Sequence, residues 1–260
     1  MLIERIWTGN AYRNFHYLVA CPDSGEALVV DPLEWQLCLA AAHARGWTIT
    51  QILNTHEHRD HTGGNAALVR ATGAQLLAHA AASIEGVDRG LAAGDRIRVG
   101  RLELECLDTP GHTLAHVCIL AHGEQPALFS GDTLFNAGAG NCHHGGDPLR
   151  LYETFSRILA RLPGETRIYP GHEYLARNLA FTLDREPDNE AANALLATVS
   201  GSDSAEMPVT TLADERQINT FLRLDSPTLI ERLRAAYPDL GARPDARVVF
   251  CRLRELRNAW

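Results

Sequence analysis

The chain has 260 residues, enough for one large domain or for a domain with a smaller companion. Its formal net charge of −8 argues against a general nucleic-acid binder, and no apolar run is long enough for a membrane-spanning helix. The start, Met1-Leu2-Ile3-Glu4-Arg5-Ile6, lacks the plan of a secretory signal, and the scattered cysteines, with no CxxC pair, suit a reducing cytoplasm.

Leu2 to Ile6, His16 to Cys21 and Ala27 to Asp31 read as short strands separated by turns such as Asp23-Ser24-Gly25. Trp35 to Arg45 repeats apolar residues at helical spacing and stops at Gly46. The strand Ile49 to Asn54, a helix from Gly64 to Ala71 and a strand from Gln75 to Ala78 make a βαβ unit. Arg96 to Val99 with Leu102 to Leu107, and Val117 to Ala121 with Ala127 to Ser130, read as hairpins. Leu149 to Leu162 is a helix and Arg167 to Tyr169 a last strand. Beyond about residue 173 the pattern turns helical: Tyr174 to Asp184, Asn189 to Val199, Asp214 to Leu222, Pro227 to Ala236, and a shorter helix near the C-terminus. This order predicts an α/β domain followed by a helical one, with the boundary at 173/174.

The chemistry concentrates in Thr55-His56-Glu57-His58-Arg59-Asp60-His61-Thr62-Gly63-Gly64, directly after a strand. The i, i+2 spacing lets His56 and His58 converge on one metal, while Asp60 and His61 turn toward a second. The same order of strand, short turn and ligand type recurs before His112, Asp132 and His172. Sites in open α/β sheets gather just beyond strand ends, so these segments are expected to meet. Five histidines and two aspartates suit two metals, with Asp132, alone on its turn, able to bridge them. A histidine-rich surface loop without metal is the plainer alternative for the first stretch taken alone.

The set His56-x-His58-x-Asp60-His61, Gly111-His112, Gly131-Asp132 and Gly171-His172 resembles the ordered motifs of the metallo-β-lactamase superfamily. That resemblance implies an αββα sandwich with a dinuclear site at its edge. It assigns His56, His58 and His112 to one metal and Asp60, His61 and His172 to the other, with Asp132 bridging. Ile52-Leu53-Asn54-Thr55-His56, Thr109-Pro110-Gly111-His112-Thr113, Gly171-His172-Glu173-Tyr174 and the ending Leu253-Arg254-Glu255-Leu256-Arg257-Asn258 resemble glyoxalase II, hydroxyacylglutathione hydrolase. The implied activity is hydrolysis of S-2-hydroxyacylglutathione, such as S-lactoylglutathione, in methylglyoxal detoxification. It uses two divalent metals, zinc first, with iron or manganese tolerated by the same ligand types.

The implied nucleophile is a hydroxide shared between the metals and held beside Asp132, Asp60 and His58. The implied substrate contacts are Tyr174, Arg254 and Arg257, with Asn141 and His143 at the positions of the family's basic and aromatic loop residues. Gly138-Ala139-Gly140-Asn141-Cys142-His143-His144-Gly145-Gly146 departs from the family pattern there, which shifts the question of substrate to this loop. Other readings are a metallo-hydrolase of a different thioester or ester, a mononuclear iron persulfide dioxygenase using two histidines and an aspartate, and a non-catalytic metal-binding module. The expected partner is a small thioester, with no nucleic acid and no membrane, and a monomer is compatible with the sequence.

Overall fold

The computed structural model describes residues 1–260, in which two β-sheets face one another. The first sheet contains, in spatial order, β1 (Leu2–Trp7), β2 (Phe15–Ala20), β3 (Glu26–Val30), β4 (Thr48–Leu53), β5 (Gln75–His79) and β6 (Arg89–Leu91). β1 to β3 pair antiparallel and β3 to β6 pair parallel. Parallel neighbours require crossovers. Here these are α1 (Trp35–Arg45) between β3 and β4, and α2 (Arg59–Thr62) with α3 (Asn65–Thr72) between β4 and β5. The second sheet takes β7 (Arg96–Val99), β8 (Leu102–Asp108), β9 (Val117–Ala121) and β10 (Ala127–Gly131). The small hairpin of β11 (Leu134–Phe135) and β12 (Gly138–Ala139) precedes its final strand, β13 (Arg167–Pro170). The spatial order is β13-β10-β9-β8-β7, antiparallel except where β10 meets β13.

Alternation along the strands explains the layers. β2, Phe-His-Tyr-Leu-Val-Ala, is buried along its whole length because both of its faces are covered. Phe15, Tyr17 and Val19 join Ile97, Ile119 and Phe129 between the sheets. Leu18 and Ala20 point the other way, with Val29, Ile52 and Leu76, against Cys38, Ala42 and Leu68 of α1 and α3. Outside the second sheet, Leu120, Leu128 and Ile168 pack on Leu151 and Phe155 of α4 (Pro148–Arg157). The expected αββα sandwich is present.

The remaining helices are α5 (Leu175–Arg185), α6 (Glu190–Val199), α7 (Leu212–Ile218), α8 (Pro227–Ala236) and α9 (Ala246–Ala259). They share a core with the sandwich: Phe221, Leu229, Phe250 and Leu253 lie in the same cluster as Leu128, Phe155 and Ile168. The chain before α7 also covers the edge of β13, where Ile168 N–H donates to Thr210 O and Leu212 N–H to Thr166 O, each at 2.9 Å.

Five elements differ from the sequence expectation; β6 was not anticipated, and the helix expected over Leu149 to Leu162 ends at Arg157, before a separate 3-10 turn at Leu159–Arg161. The C-terminal helix α9 has 14 residues and is the longest in the chain, where a shorter one was expected. Asp245 caps it by accepting from Arg247 N–H, and its buried stripe of Val249, Phe250 and Leu253 is interrupted by arginines that mask the pattern. α7 starts at Leu212 because Thr211 and Asp214 form a reciprocal capping box, and it stops short of Leu222 because Asn219 is extended. The β11–β12 hairpin, with two residues in each strand, is too short to show a period.

That hairpin is gripped from the helical side. Glu215, fully buried, accepts from Ala137 N–H at 2.8 Å, Asn219 Nδ2 at 2.9 Å and Thr210 Oγ1 at 2.6 Å. Burial pushes its carboxyl up to about 7 despite these donors. A carboxyl raised in the folded state stabilises fully below its unfolded pKa, and the contribution is lost as pH rises through the folded value. Stability should therefore decline from about pH 4.5 to about 7, by on the order of 3 kcal/mol from this group. Denaturant unfolding across that range should show the decline flattened in Glu215→Gln, and an unchanged slope would remove Glu215 as its source.

Candidate metal centre

β4, β8, β10 and β13 each deliver a turn that carries functional side chains to one edge of the sandwich. The turn after β4 bends at His56, holds His58 in extended backbone and then closes into α2, which carries Asp60 and His61. His112 follows β8, Asp132 follows β10 and His172 follows β13. All seven residues come together, as the strand-end pattern anticipates.

They form two groups. His58 Nδ1 lies 3.0 Å from His56 Nε2 and 3.0 Å from His112 Nε2. His61 Nε2 lies 3.1 Å from His172 Nε2, and Asp60 Oδ2 stands 3.6 and 3.4 Å from those two nitrogens. Asp132 joins the groups, with Oδ2 3.5 Å from His112 Nε2 and 3.3 Å from His172 Nε2, and Oδ1 3.4 Å from His61 Nε2. Donors placed ~2.1 Å from a tetrahedral ion stand roughly 3.4 Å from one another. The observed spacings, 3.0 to 3.6 Å, bracket that value.

The outward nitrogens of the rings fix which atoms face inward. His112 Nδ1 donates to Asn141 O at 2.7 Å, His58 Nε2 to His144 O at 3.0 Å and His172 Nδ1 to Tyr12 O at 2.8 Å. His61 Nδ1 donates to Asp31 Oδ2 at 3.0 Å, and His56 Nδ1 meets Thr55 Oγ1 at 3.0 Å. A carbonyl or carboxylate only accepts, so the rings it engages carry their proton outward and turn a lone pair inward. Asp132 Oδ1 is buried with no hydrogen-bond donor. Converging lone pairs, a buried carboxylate and ring nitrogens tied from behind are the donor set of a divalent-cation site.

In the first group the electrostatics agree. Burial drives His56 well below its ordinary value and His112 down to about 4, so both rings are neutral ligands at pH 7. Burial also opposes charge on His61, but Asp132, Asp31 and Asp60 outweigh it and lift that ring to about 9. Asp132 resists protonation: burial works against its charge, yet His172, His61 and His112 hold its carboxyl far below the carboxylate range.

Comparison with known proteins decides the lineage. The profile of the metallo-beta-lactamase superfamily matches residues 13–172, and that of the hydroxyacylglutathione hydrolase C-terminus matches residues 173–260. A hydroxyacylglutathione hydrolase of Polaromonas sp. (strain JS666) is 65% identical across 100% of both chains, and one of Nitrosococcus oceani is 62% identical across 100% of both. The chain belongs to the hydroxyacylglutathione hydrolase family. Among solved structures, ETHE1 from Myxococcus xanthus is 25% identical with TM-score 0.69, over 100% of this chain and 99% of that one. TTHA1623, solved in a di-iron-bound form, is 26% identical with TM-score 0.60, over 85% of this chain and 100% of that one.

The residues that sequence reading placed at the substrate have their own surroundings. Tyr174 stacks on the His172 ring at 5.2 Å and donates its hydroxyl to Tyr12 O at 3.2 Å. Arg257 is half-buried over Phe181 and Trp260, and its Nη2 donates to Asn178 Oδ1 at 3.2 Å. Asn141 uses its side chain within the loop, accepting from His143 N–H at 3.1 Å, while the His143 side chain is exposed. Arg254 is 3% exposed and donates to the carbonyls of Ala139 and Gly140 at 2.7 and 3.1 Å.

Sequence reading missed three supporting residues. Asp31 accepts from Thr55 N–H at 2.8 Å and Thr55 Oγ1 at 2.7 Å besides holding His61. His116 stacks on His56 at 5.1 Å, and its Nε2 accepts from Asp132 N–H at 3.2 Å. Phe135 packs on both His172 and Tyr174. Asp31 carried a signal, since it ends β3 just as the ligand turns follow their strands; His116 and Phe135 carried none.

Proposed function

We propose that this protein hydrolyses S-2-hydroxyacylglutathione, S-lactoylglutathione among them, to a 2-hydroxy acid and glutathione. The carrying observation is that His56, His58 and His112 on one side, and Asp60, His61 and His172 on the other, face the shared Asp132. Support for the substrate comes from the names of the relatives at 65% and 62% identity. We read residues 1–173 as the catalytic domain and 174–260 as the substrate-binding one. The cations are zinc in this reading, since imidazole with carboxylate suits it. The di-iron form of TTHA1623 supports a pair of ions and keeps iron as the alternative. A cytoplasmic setting is supported by six unpaired cysteines, four of them buried.

Bound there, two divalent cations supply hydroxide at neutral pH and a Lewis acid for the thioester carbonyl. The chain's own residues prepare that space. Asp132 places one negative charge against both groups, and Asp60 and His58 flank the same space. Asp31 and the carbonyls of Tyr12, Asn141 and His144 prevent the rings from turning, and His116 holds the Asp132 backbone N–H. Glu57 points to Thr113 Oγ1 at 3.3 Å and takes no part. A thiolate whose parent thiol has a pKa of ~8.5 leaves without a strong general acid. Arg257, with the positive Arg177 near it, supplies charge for the glutathione carboxylates.

The test is a panel of glutathione, coenzyme A and simple thiol esters, assayed on protein of measured metal content. Turnover confined to the glutathione esters is expected. Arg257→Met should then raise KM for S-lactoylglutathione about 10-fold or more, the loss of one charge-assisted hydrogen bond, with kcat retained. Equal losses on simple thiol esters would exclude a carboxylate contact, and one iron per chain with oxygen uptake on glutathione persulfide would overturn the hydrolase.

A further inference from the structure

The loop 138–146 departs from the family pattern in its side chains, yet it lies against the ligand turns through its backbone. A Cβ on Gly140 would stand 1.8 Å from Asp132 O and 3.1 Å from His112 Nδ1, and one on Gly146 would stand 2.2 Å from His112 O. Only glycine permits these approaches. Between the two glycines, Asn141 O accepts from His112 Nδ1 and His144 O from His58 Nε2. Two of the three nitrogens in the first group are thus aimed by carbonyls of one loop.

That loop is held at its root by two buried side chains: Asn219 Nδ2 donates to Gly138 O at 3.1 Å, and Arg254 takes the next two carbonyls. Arg254 Nη1 donates to Ala139 O and Gly140 O, its Nε donates to Asn258 Oδ1 at 3.1 Å, and its guanidinium lies 5.4 Å over the Phe221 ring. Its hydrogen bonds go to carbonyls and an amide, and no carboxylate pairs with it. A buried guanidinium engaged in this way is committed to the fold of the loop, and its planar fork cannot be matched by lysine.

We propose that Arg254 is a positioning residue of the metal centre: it fixes the loop whose carbonyls set the tautomers and ring planes of His112 and His58. This rests on the reading that His56, His58 and His112 hold a metal. It differs from the carboxylate-anchoring role that the sequence resemblance assigns to the same arginine, and the two roles separate experimentally. An anchor acts on KM alone. A positioning residue acts on metal affinity, because partners that orient metal-binding histidines typically contribute about 10–100-fold to affinity or activity.

The experiment compares the full-length protein with Arg254→Met, Arg254→Lys and Arg257→Met. Zinc affinity is measured by competition with a chromophoric chelator, the cobalt-substituted protein by visible absorption, and kcat and KM with S-lactoylglutathione. Arg254→Met should weaken one of two zinc ions by about 10–100-fold, shift the cobalt absorption, and lower kcat more than it raises KM. Arg254→Lys should recover part of the zinc affinity, since an ammonium reaches one carbonyl. Arg257→Met should leave zinc affinity as in the parent. If Arg254→Met does not fold, Asn258→Ala, which frees the Nε side of the same guanidinium, should move zinc affinity in the same direction by a smaller factor.

Unchanged zinc affinity and cobalt absorption, with only KM raised, would overturn the proposal. So would a parent protein that binds no zinc at the first group, shown by His112→Ala leaving affinity unaltered. A parent that binds two zinc ions but turns over no glutathione ester defeats the proposed activity alone, because the affinity measurements do not depend on turnover.

Discussion

Asp132→Ala should lower kcat/KM on S-lactoylglutathione by about 10²–10⁴-fold and leave the protein unable to retain its full metal content through gel filtration. Losing one preorganised electrostatic partner at a catalytic centre costs about 10²–10³-fold in kcat, and lost metal adds to it. Asp132 is the only residue whose two oxygens stand within 3.5 Å of nitrogens in both groups. Its loss leaves His61, His172 and His112 facing one another without the anion that offsets them. Elemental analysis after chelator-free gel filtration, together with the thioester assay, reads both effects. Two ions retained with undiminished turnover would show that Asp132 is not shared.

Phe250→Ala should destabilise the protein by about 3–5 kcal/mol. Phe250 is fully buried and meets Phe155 at 5.2 Å, Tyr152 at 5.7 Å and Phe221 at 5.2 Å. Two of those rings belong to α4 on the sandwich and one to the helical part, so the cavity would open where they join. Denaturant unfolding followed by tryptophan fluorescence and by far-ultraviolet circular dichroism should shift together. If the helical signal alone moved, the two parts would be energetically independent despite their common core.

Much of this architecture was legible in the residues. The alternation in β7 and β8, the run in β2 and the stop of α1 at Gly46 each follow from local pattern, and the structure contains all of them. The ligand turns were legible for a different reason: each repeats a strand, a turn and a ligand type, and such turns meet wherever strand ends meet. His116 was unreadable because a buried histidine that accepts from a backbone N–H looks, in sequence, like any of the other histidines. Asp31 was read only as a strand end; its partners Thr55 and His61 lie 24 and 30 positions away, beyond any local pattern. Arg254 illustrates the same limit from the other side. Its position in the ending Leu253 to Trp260 suggested an exposed contact, whereas packing of α9 against the sandwich buries it.

The way the 138–146 loop meets the metal groups separates two properties that usually constrain one another. Every residue has a carbonyl, so the acceptors at Asn141 and His144 survive any replacement of those side chains that keeps the loop's path. What the path demands is glycine at positions 140 and 146, while the His143 side chain between them is exposed. Side chains of this loop can therefore change while the acceptors behind His112 and His58 stay in place. Asn141 and His143, where the family carries a basic and an aromatic residue, sit on one face of a ribbon whose carbonyls engage His112 and His58 on the other.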